Sequence, residues 1–203
     1  MKLPFVFASL LVAGVAHAAS FNLEGFATGF HATGSLSQTN SGLTATFSTD
    51  GFPAGFLYVG DRSAQTPPFQ TRSLLGSKIA NFASGQYAPV RITFSSLVDF
   101  VSLQVADGGG DNDGNGELRA YDAANNLLGM SSLPLANGSV ITTLSVADPS
   151  IQYVVFSTTS VEEPHSVFLD NIQANPVPEP ATVLALGAGL ALVVRRRRAT
   201  SSR

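Results

Sequence analysis

Short runs in which apolar and polar residues alternate recur along the middle of this chain. In residues 91–95, for example, Ile92 and Phe94 alternate with polar side chains, a period of two that is typical of half-buried β-strands. Residues 151–156 are almost continuously apolar, which is typical of a central strand covered on both faces. The helical period of 3.6 residues does not stand out anywhere between residues 19 and 176. The pattern predicts strands at 21–24, 43–48, 55–59, 72–80, 89–95, 97–106, 117–122, 126–132, 139–146, 151–158 and 166–173.

Gly, Asn, Asp and Pro separate these runs and predict the turns between them. Asn137-Gly138 predicts a tight hairpin turn because both residues tolerate positive φ, and residues 122–126 predict a longer hairpin loop. Residues 28–42 and 60–69 are predicted to be long surface loops. About ten short strands without helices between them favour an all-β fold, an antiparallel β-sandwich of the jelly-roll kind.

Composition restricts the class of protein further. Charged residues make up only 12% of the 203 residues, which excludes a coiled coil and a highly charged disordered chain. Residues 19–176 hold 13 of the 14 acidic and 5 of the 11 basic residues, so this region carries a net charge of −8. A surface of that sign repels phosphate backbones, and we therefore expect no nucleic-acid partner.

The first 18 residues have the pattern of a secretory signal peptide. Lys2 supplies the positive start, an apolar run follows, and Ala16-His17-Ala18 offers the small residues that signal peptidase requires. An uncleaved membrane anchor is the alternative. The exported domain would comprise residues 19–176 and, because it has no cysteine, would depend on a large core or a bound metal in place of disulfides.

A second apolar segment lies near the C-terminus, within residues 177–203. A Pro-rich stretch at 177–182 precedes an uncharged run at 183–194, and four arginines at 195–198 end that run. Counted from Ala181, the apolar stretch would be about 21 Å long as a transmembrane helix, which is short for a hydrocarbon core of about 30 Å. The arginines would stay in the cytoplasm and leave the domain outside.

The order of these features resembles the PEP-CTERM sorting signal of Gram-negative envelope proteins. The motif residues are Val177, Pro178, Glu179 and Pro180, and the membrane stop is Arg195, Arg196, Arg197 and Arg198. The resemblance implies that the chain is anchored transiently, that exosortase, a membrane-embedded cysteine protease, then removes the tail, and that the protein belongs with exopolysaccharide, biofilm or extracellular matrix. A plain C-terminal anchor with a Pro-rich linker is the alternative.

The middle of the chain is similar to secreted jelly-roll modules of the carbohydrate-binding and MAM-like kind. Residues 21–25 near its start and 167–172 near its end carry this likeness. In such modules the first and last strands lie side by side, and acidic residues near them often hold a structural Ca²⁺. The resemblance therefore implies Glu24 and Asp170 as a candidate pair of metal ligands. A turn-capping Glu and an Asp bonded to the backbone are the alternative.

The densest group of acidic residues lies in a glycine-rich loop at 107–117. Carboxylates this close repel one another, and a hard cation with about six to eight oxygen ligands would relieve the repulsion. An EF-hand-like interpretation of residues 111–122 fails, because an extended strand would carry Asp122 about 17 Å beyond Glu117. A solvated loop is the alternative. The predicted Ca²⁺ ligands are Asp107, Asp111, Asp113, Asn115 and Glu117.

The sequence offers little that supports catalysis. It has no cysteine and lacks both H-E-x-x-H and G-x-S-x-G. We therefore expect a non-catalytic, Ca²⁺-stabilised adhesive or structural module of an exopolysaccharide matrix, processed by signal peptidase and exosortase. Exposed aromatic residues would bind the polysaccharide; the candidates are Phe52, Phe56, Tyr58 and Phe69. The alternative for these side chains is that most of them fold into the core. The alternative is a secreted glycoside hydrolase with a carboxylate pair.

Overall fold

Strands make up the regular structure of this chain. The computed structural model describes residues 17–61, 72–77, 87–106, 114–135, 140–160 and 167–178. Every ladder between the strands is antiparallel, which confirms the all-β prediction. The strands are β1 (Ala19–Phe21), β2 (Gly29–Ala32), β3 (Leu36–Asn40), β4 (Leu43–Thr49), β5 (Phe56–Asp61), β6 (Arg72–Ser77), β7 (Val90–Ala106), β8 (Asn115–Tyr121), β9 (Leu127–Pro134), β10 (Thr142–Thr158) and β11 (Phe168–Pro176).

Two long strands, β7 and β10, run through both layers of a sandwich. The first half of β7 pairs with β4 and with the second half of β10, whereas its second half pairs with β11 and with the first half of β10. The first layer therefore has the order β3-β4-β7-β10-β8-β9, and the second layer has the order β2-β5-β6-β11-β7-β10, with β1 on β11. Register shifts between Ala147 and Tyr153 mark the change of layer in β10, because bulges bend a strand.

One hydrophobic core lies between the two layers. Buried and partly exposed residues alternate along the whole of β4 and β8, so each strand turns one face inward. The core joins Phe47, Phe94 and Leu118 of the first layer to Leu57 and Leu169 of the second. The predicted antiparallel β-sandwich is confirmed. Because the inner faces form the core, a binding site has to lie on the outward faces of the layers, at their edges or in the loops.

The prediction of a loop at residues 28–42 is wrong, because β2 and β3 lie there. β3 pairs with β4 from Asn40↔Leu43 onward, so Ser41 and Gly42 alone form the hairpin turn. Their φ angles of 50° and 81° are the left-handed values that such a two-residue turn requires. The strands are four and five residues long and consist mostly of small and polar residues, a composition that is also typical of loops.

Four predicted strands merge into two. The strands predicted at 89–95 and 97–106 are both parts of β7, and those at 139–146 and 151–158 are parts of β10. Residues 151–156 lie in the middle of the first layer between β7 and β8, as their apolar sequence predicts. The predicted hairpin loop at 122–126 joins β8 to β9, and β1 pairs with β11, so the first and last strands are adjacent as the resemblance implied.

Part of what the sequence predicts lies outside the described residues. This applies to the signal peptide before His17, the Asn137-Gly138 turn, most of the 60–69 loop including Phe69, the acidic residues Asp107, Asp111 and Asp113, and the chain from Glu179 onward. Residues 17–177 form one compact unit. Within the described ranges, no helix has the length and apolar character needed to cross a membrane.

Candidate metal site and aromatic cluster

Two of the predicted acidic-loop ligands lie within the described chain, on β8. The carboxylate of Glu117 accepts a hydrogen bond from the guanidinium of Arg119. The side-chain amide of Asn115 donates to the hydroxyl of Ser132 at 3.3 Å. Among the residues that the structure describes, no three Asp, Glu, His or Cys side chains lie close enough together to hold a metal. The acidic loop as a Ca²⁺ site therefore stays a prediction.

Asp122 caps the turn between β8 and β9. The side-chain amide of Asn126 donates to its carboxylate at 2.8 Å, and the backbone amides of Ala124 and Asn126 donate at 2.9 and 2.8 Å. These bonds, with that of the Asn126 side chain first, hold the pKa of Asp122 below its ordinary value. The carboxylate is used within its own turn, which agrees with its exclusion from the predicted ligand set.

The other candidate pair, Glu24 and Asp170, lies where the first and last strands meet. β1 pairs with β11 as far as Phe21↔Ile172, so the chain that leaves β1 continues along the start of β11. Residues 23–26 then form a turn, closed by a hydrogen bond from the amide of Phe26 to the carbonyl of Leu23 at 3.1 Å. The pairing of the terminal strands thus brings Glu24 close to Asp170.

A β-bulge in β11 sets the position of Asp170. The ladder between β11 and β7 shifts register between Asp170 and Gln173, and Asn171 has a left-handed φ of 49°. The side-chain amide of Asn171 donates to Gln104 at 2.9 Å, which holds the bulge against β7. Because side chains alternate along a strand, Asp170 lies on the face opposite to the core residue Leu169, and the bulge that follows it ends the regular register.

The Asp170 carboxylate is fully buried and poorly paired. Its side chain is 0% exposed, and neither oxygen has a hydrogen bond of good geometry. Burial raises the pKa of Asp170 to about 6, with a further contribution from the charge of Glu24, and the nearby amides of Asn171 and Leu23 offset only part of the rise. Ionising this carboxylate without a counter-charge is unfavourable, so the folded protein favours the protonated form unless a cation is bound.

Ser73 adds a further oxygen beside Asp170. β6 and β11 pair at Leu74↔Leu169, and the antiparallel register places Ser73 opposite Asp170 one residue further along. Ser73 is fully buried, and its hydroxyl oxygen has no hydrogen-bond partner. Two neighbouring buried side chains with unsatisfied oxygens are rare in folded proteins, and both lie on the outward side of the second layer.

An aromatic cluster, formed by Phe30, Phe56 and Tyr58, lies on the outer face of the second layer at its β2 edge. Phe30 is 39% exposed, and its ring centroid lies 6.4 Å from that of Phe56 and 5.1 Å from that of Tyr58. The registers Phe30↔Tyr58 and Ala32↔Phe56 put the three rings on one face. A Cβ atom at Gly60 would lie 3.1 Å from the rings of Tyr58 and Phe168, so the glycine allows the aromatic surface to continue along β5.

The structure brings together two of the four predicted aromatic residues, Phe56 and Tyr58. Phe52 is half-buried in the turn before β5, where its carbonyl accepts a hydrogen bond from the Thr49 hydroxyl at 2.6 Å. Phe30 and Ser73 were not predicted. Phe30 could have been found from its alternation with its neighbours along β2. Ser73 could not, because it lies beside Asp170 only through the pairing of β6 with β11, a strand about a hundred residues away.

Comparisons with known proteins give the following similarities. No curated protein matches the chain. A DUF4465 family protein from Bacteroides caccae matches with 16% identity and a TM-score of 0.43 over 85% of this chain and 97% of that one. The K3 adhesin domain of Lys-gingipain from Porphyromonas gingivalis matches with 14% identity and a TM-score of 0.39 over 59% of this chain and 91% of that one. A family 29 carbohydrate-binding module complexed with mannohexaose matches with 10% identity and a TM-score of 0.37 over 78% of this chain and 91% of that one.

A family model identifies the C-terminal segment. It matches residues 176–198, beginning at the last residue of β11. The match implies processing by an exosortase, export, and a cell-surface or extracellular location. The predicted sorting signal is confirmed: this chain carries a PEP-CTERM protein-sorting motif.

Proposed function

We propose that this protein is a non-catalytic, Ca²⁺-stabilised module of a biofilm matrix in a Gram-negative bacterium, and that it associates with exopolysaccharide. The observation that carries the proposal is the aromatic cluster of Phe30, Phe56 and Tyr58 on an outer face of an exported sandwich. Aromatic rings exposed on a rigid sheet offer flat apolar faces that can pack against sugar rings at low entropic cost.

Binding of matrix polysaccharide to the full-length chain tests this proposal. Affinity electrophoresis in gels that contain the polysaccharide should show retardation, and Phe30→Ala should weaken the interaction about fivefold or more. Leu127→Ala is the matched control, since Leu127 is an exposed apolar residue, 57% exposed, on β9 of the other layer. Equal retardation of both variants and the wild type would reject the aromatic cluster as the binding surface.

Ca²⁺ is the cation that we propose for the Glu24 and Asp170 pair. Ca²⁺ prefers carboxylate, hydroxyl and carbonyl oxygens. The buried carboxylate of Asp170 and the hydroxyl of Ser73 supply such oxygens, none of which has a hydrogen bond of good geometry. A cation bound there would relieve the repulsion between the two carboxylates and join the 23–26 turn to β11. The acidic loop with Asp107, Asp111, Asp113, Asn115 and Glu117 stays a second candidate Ca²⁺ site.

A hydrolase is less well supported. Glycoside hydrolysis needs two carboxylates that face a substrate groove, whereas Asp170, the carboxylate with the raised pKa, is fully buried. We therefore propose that the domain does not hydrolyse the polysaccharide that it binds. Release of reducing ends from matrix polysaccharide by the wild-type protein, lost in Asp170→Asn, would contradict this.

Transient membrane anchoring is the proposed route to the surface. The segment 183–194 would hold the chain in the inner membrane until exosortase cleaves near the motif at Val177, Pro178, Glu179 and Pro180. The intact mass of protein recovered from its native envelope should lack residues 183–203. Recovery with this segment attached would favour a plain anchor.

A further inference from the structure

Three of the six large apolar side chains that are exposed in the described part of the chain lie on one strand, β9. Leu127, Met130 and Leu133 are 57%, 54% and 41% exposed. β9 is an edge strand, since among the residues that the structure describes it pairs with β8 alone. A long apolar edge strand that is left open favours pairing with another chain.

The backbone of β9 is open along the same edge. The amide of Leu135, directly after β9, donates to the carbonyl of Gly114 at 2.9 Å, and the register with β8 is regular from there back to Gly129. Successive residues of an antiparallel ladder face the partner strand in alternation. Met130 and Ser132 therefore direct their N–H and C=O groups away from β8, where another strand can bind them.

The open part of the edge has clear ends. At one end, the hydroxyl of Thr142 lies 3.5 Å from the carbonyl of Pro134, so the chain that enters β10 approaches β9 there. At the other end, the ladder shifts register between Ala120 and Tyr121, and such a bulge bends the strand. The free edge therefore extends over about residues 128–133, whereas the edge strands β2 and β3 have only four and five residues in all.

The edge carries no charge. No Asp, Glu, Lys or Arg occurs between residues 123 and 147, although charged side chains are the usual means of blocking an edge strand. The net charge of −8 on residues 19–176 repels a second acidic domain, but none of these charges lies on β9, and salt screens the repulsion within about 8 Å. The edge therefore suits an uncharged strand, which β9 itself is.

The sequence of β9 is complementary to itself when two copies run antiparallel about Ser131. In that register Met130 of one copy faces Ser132 of the other, and Leu133 faces Gly129. Each large side chain thus meets a small one, and a Cβ atom at Gly129 would have no heavy atom within 4 Å, which leaves room for Leu133. The outward groups of Met130 and Ser132 then form four backbone hydrogen bonds between the copies.

We propose that two copies of this chain form a dimer through β9, with the two strands paired antiparallel about a two-fold axis at Ser131. The interface uses the same residues on both copies, so association closes at the dimer and does not continue into a filament. The first layers of the two copies then form one continuous sheet. The inference goes beyond the proposed function, since a dimer carries two aromatic clusters and can hold polysaccharide at two points.

Sedimentation velocity of the full-length protein in detergent tests the inference. The wild type should pass from monomer to dimer between about 1 and about 100 µM. Ser131→Asp brings two carboxylates together at the axis and should raise the dissociation constant about tenfold or more. Ser37→Asp, the matched control, adds the same charge at an exposed serine on β3, the opposite edge of the layer, and should leave the dimer unchanged.

Salt separates this interface from an ionic one. Raising NaCl from about 0.05 to about 0.5 M should strengthen the wild-type dimer, because it screens the repulsion between two acidic domains. Weakening of the dimer by salt would contradict an uncharged interface.

Single cysteines test the register, because the chain has no cysteine of its own. Two copies of Ser131→Cys would face each other in a non-hydrogen-bonded pair with Cα atoms about 4.5 Å apart, which suits a disulfide. In Ser132→Cys the two Cα atoms would be about 8 Å apart, two residues along and one strand across. Under a mild oxidant, Ser131→Cys should therefore form the covalent dimer several times faster.

Four results would overturn the inference: a wild type that stays monomeric up to about 100 µM, an unchanged dissociation constant in Ser131→Asp, equal weakening by Ser37→Asp, or equal cross-linking of the two cysteine variants. If Ser131→Asp lowers the melting temperature, the cross-linking rates decide. Polysaccharide binding by a protein that stays monomeric would reject the dimer and keep the proposed function.

Discussion

Burial of Asp170 makes the stability of the protein depend on pH. Without metal, the pKa of Asp170 rises from 3.8 to about 6 on folding, chiefly through burial. The folded protein therefore holds this proton more tightly than the unfolded chain does, and protonation favours folding. The contribution of Asp170 to the free energy of unfolding should be highest below the unfolded pKa of 3.8 and should fall as the pH rises towards 6.

The size of the effect follows from the two pKa values. Their difference corresponds to about 3 kcal/mol in the free energy of unfolding, at about 1.4 kcal/mol for each pH unit. Asp170→Asn removes the charge at nearly the same volume. In EDTA the variant should show a smaller loss of stability than the wild type between about pH 4 and about pH 7, by up to ~3 kcal/mol.

Ca²⁺ should reverse the disadvantage of the ionised carboxylate. Bound cation stabilises the folded state by about 2.7 kcal/mol when its free concentration is about a hundred times its dissociation constant. We expect this gain for the wild type near neutral pH and a much smaller gain for Asp170→Asn. The binding should weaken at acid pH, because a proton and the cation compete for the same carboxylate.

Urea unfolding at several pH values, with EDTA or with Ca²⁺, measures both effects. Asp99→Asn is the matched control, since it makes the same substitution at an exposed carboxylate. Identical pH profiles for the wild type and Asp170→Asn in EDTA would show that burial of the ionised Asp170 carboxylate does not destabilise the folded protein. Equal stabilisation of both by Ca²⁺ would place the cation elsewhere, and the acidic loop would then be the candidate.

Three further substitutions, with Leu127→Ala as a surface control, test the packing and the strain of one hairpin, each measured by urea unfolding. Gly76→Ala should lower the free energy of unfolding by about 2 kcal/mol or more, because the added Cβ would clash with the carbonyl oxygen of Ala88. An unchanged urea midpoint would contradict this close approach. Leu118→Ala should cost about 2–5 kcal/mol, since Leu118 is fully buried, whereas Leu127→Ala on the surface should change stability by less than about 0.5 kcal/mol. Ser41→Gly should stabilise by up to about 1 kcal/mol, because Ser41 has a φ of 50°; a loss of stability would refute a strained hairpin.

The sequence predicted the fold class because alternation is a local signal. β4 and β8 alternate along their whole length, and each could be recognised without knowing its neighbours. The continuity of β10 could not, because Asp148-Pro149-Ser150 has the composition of a turn and here lies within the strand. Turns and bulges use the same residue types, so only the pairing partners distinguish them.

The candidate sites were harder to predict, because they depend on pairing between distant strands. The acidic loop attracts attention by its local density of charge, yet density does not reveal burial. Asp170 carries an unsatisfied buried charge only because β1, β6 and β11 converge on it. Contacts of this kind are set by register, which a single sequence does not specify.

The position of Glu24 and Asp170, the proposed metal ligands, also suits a chain that is cleaved near its C-terminus. β11 ends at Pro176, the first residue of the matched sorting motif, and the amide of Val177 still donates to the carbonyl of Leu97 at 2.9 Å. Cleavage in the motif would therefore leave the new C-terminus directly after the last strand of the sandwich, which pairs with β7 on one side and with the three-residue β1 on the other. A disulfide cannot secure this strand, because the chain has no cysteine. A cation held by Glu24 and Asp170 would join β11 to the turn after β1, and so would further secure the strand that lies next to the cleaved end.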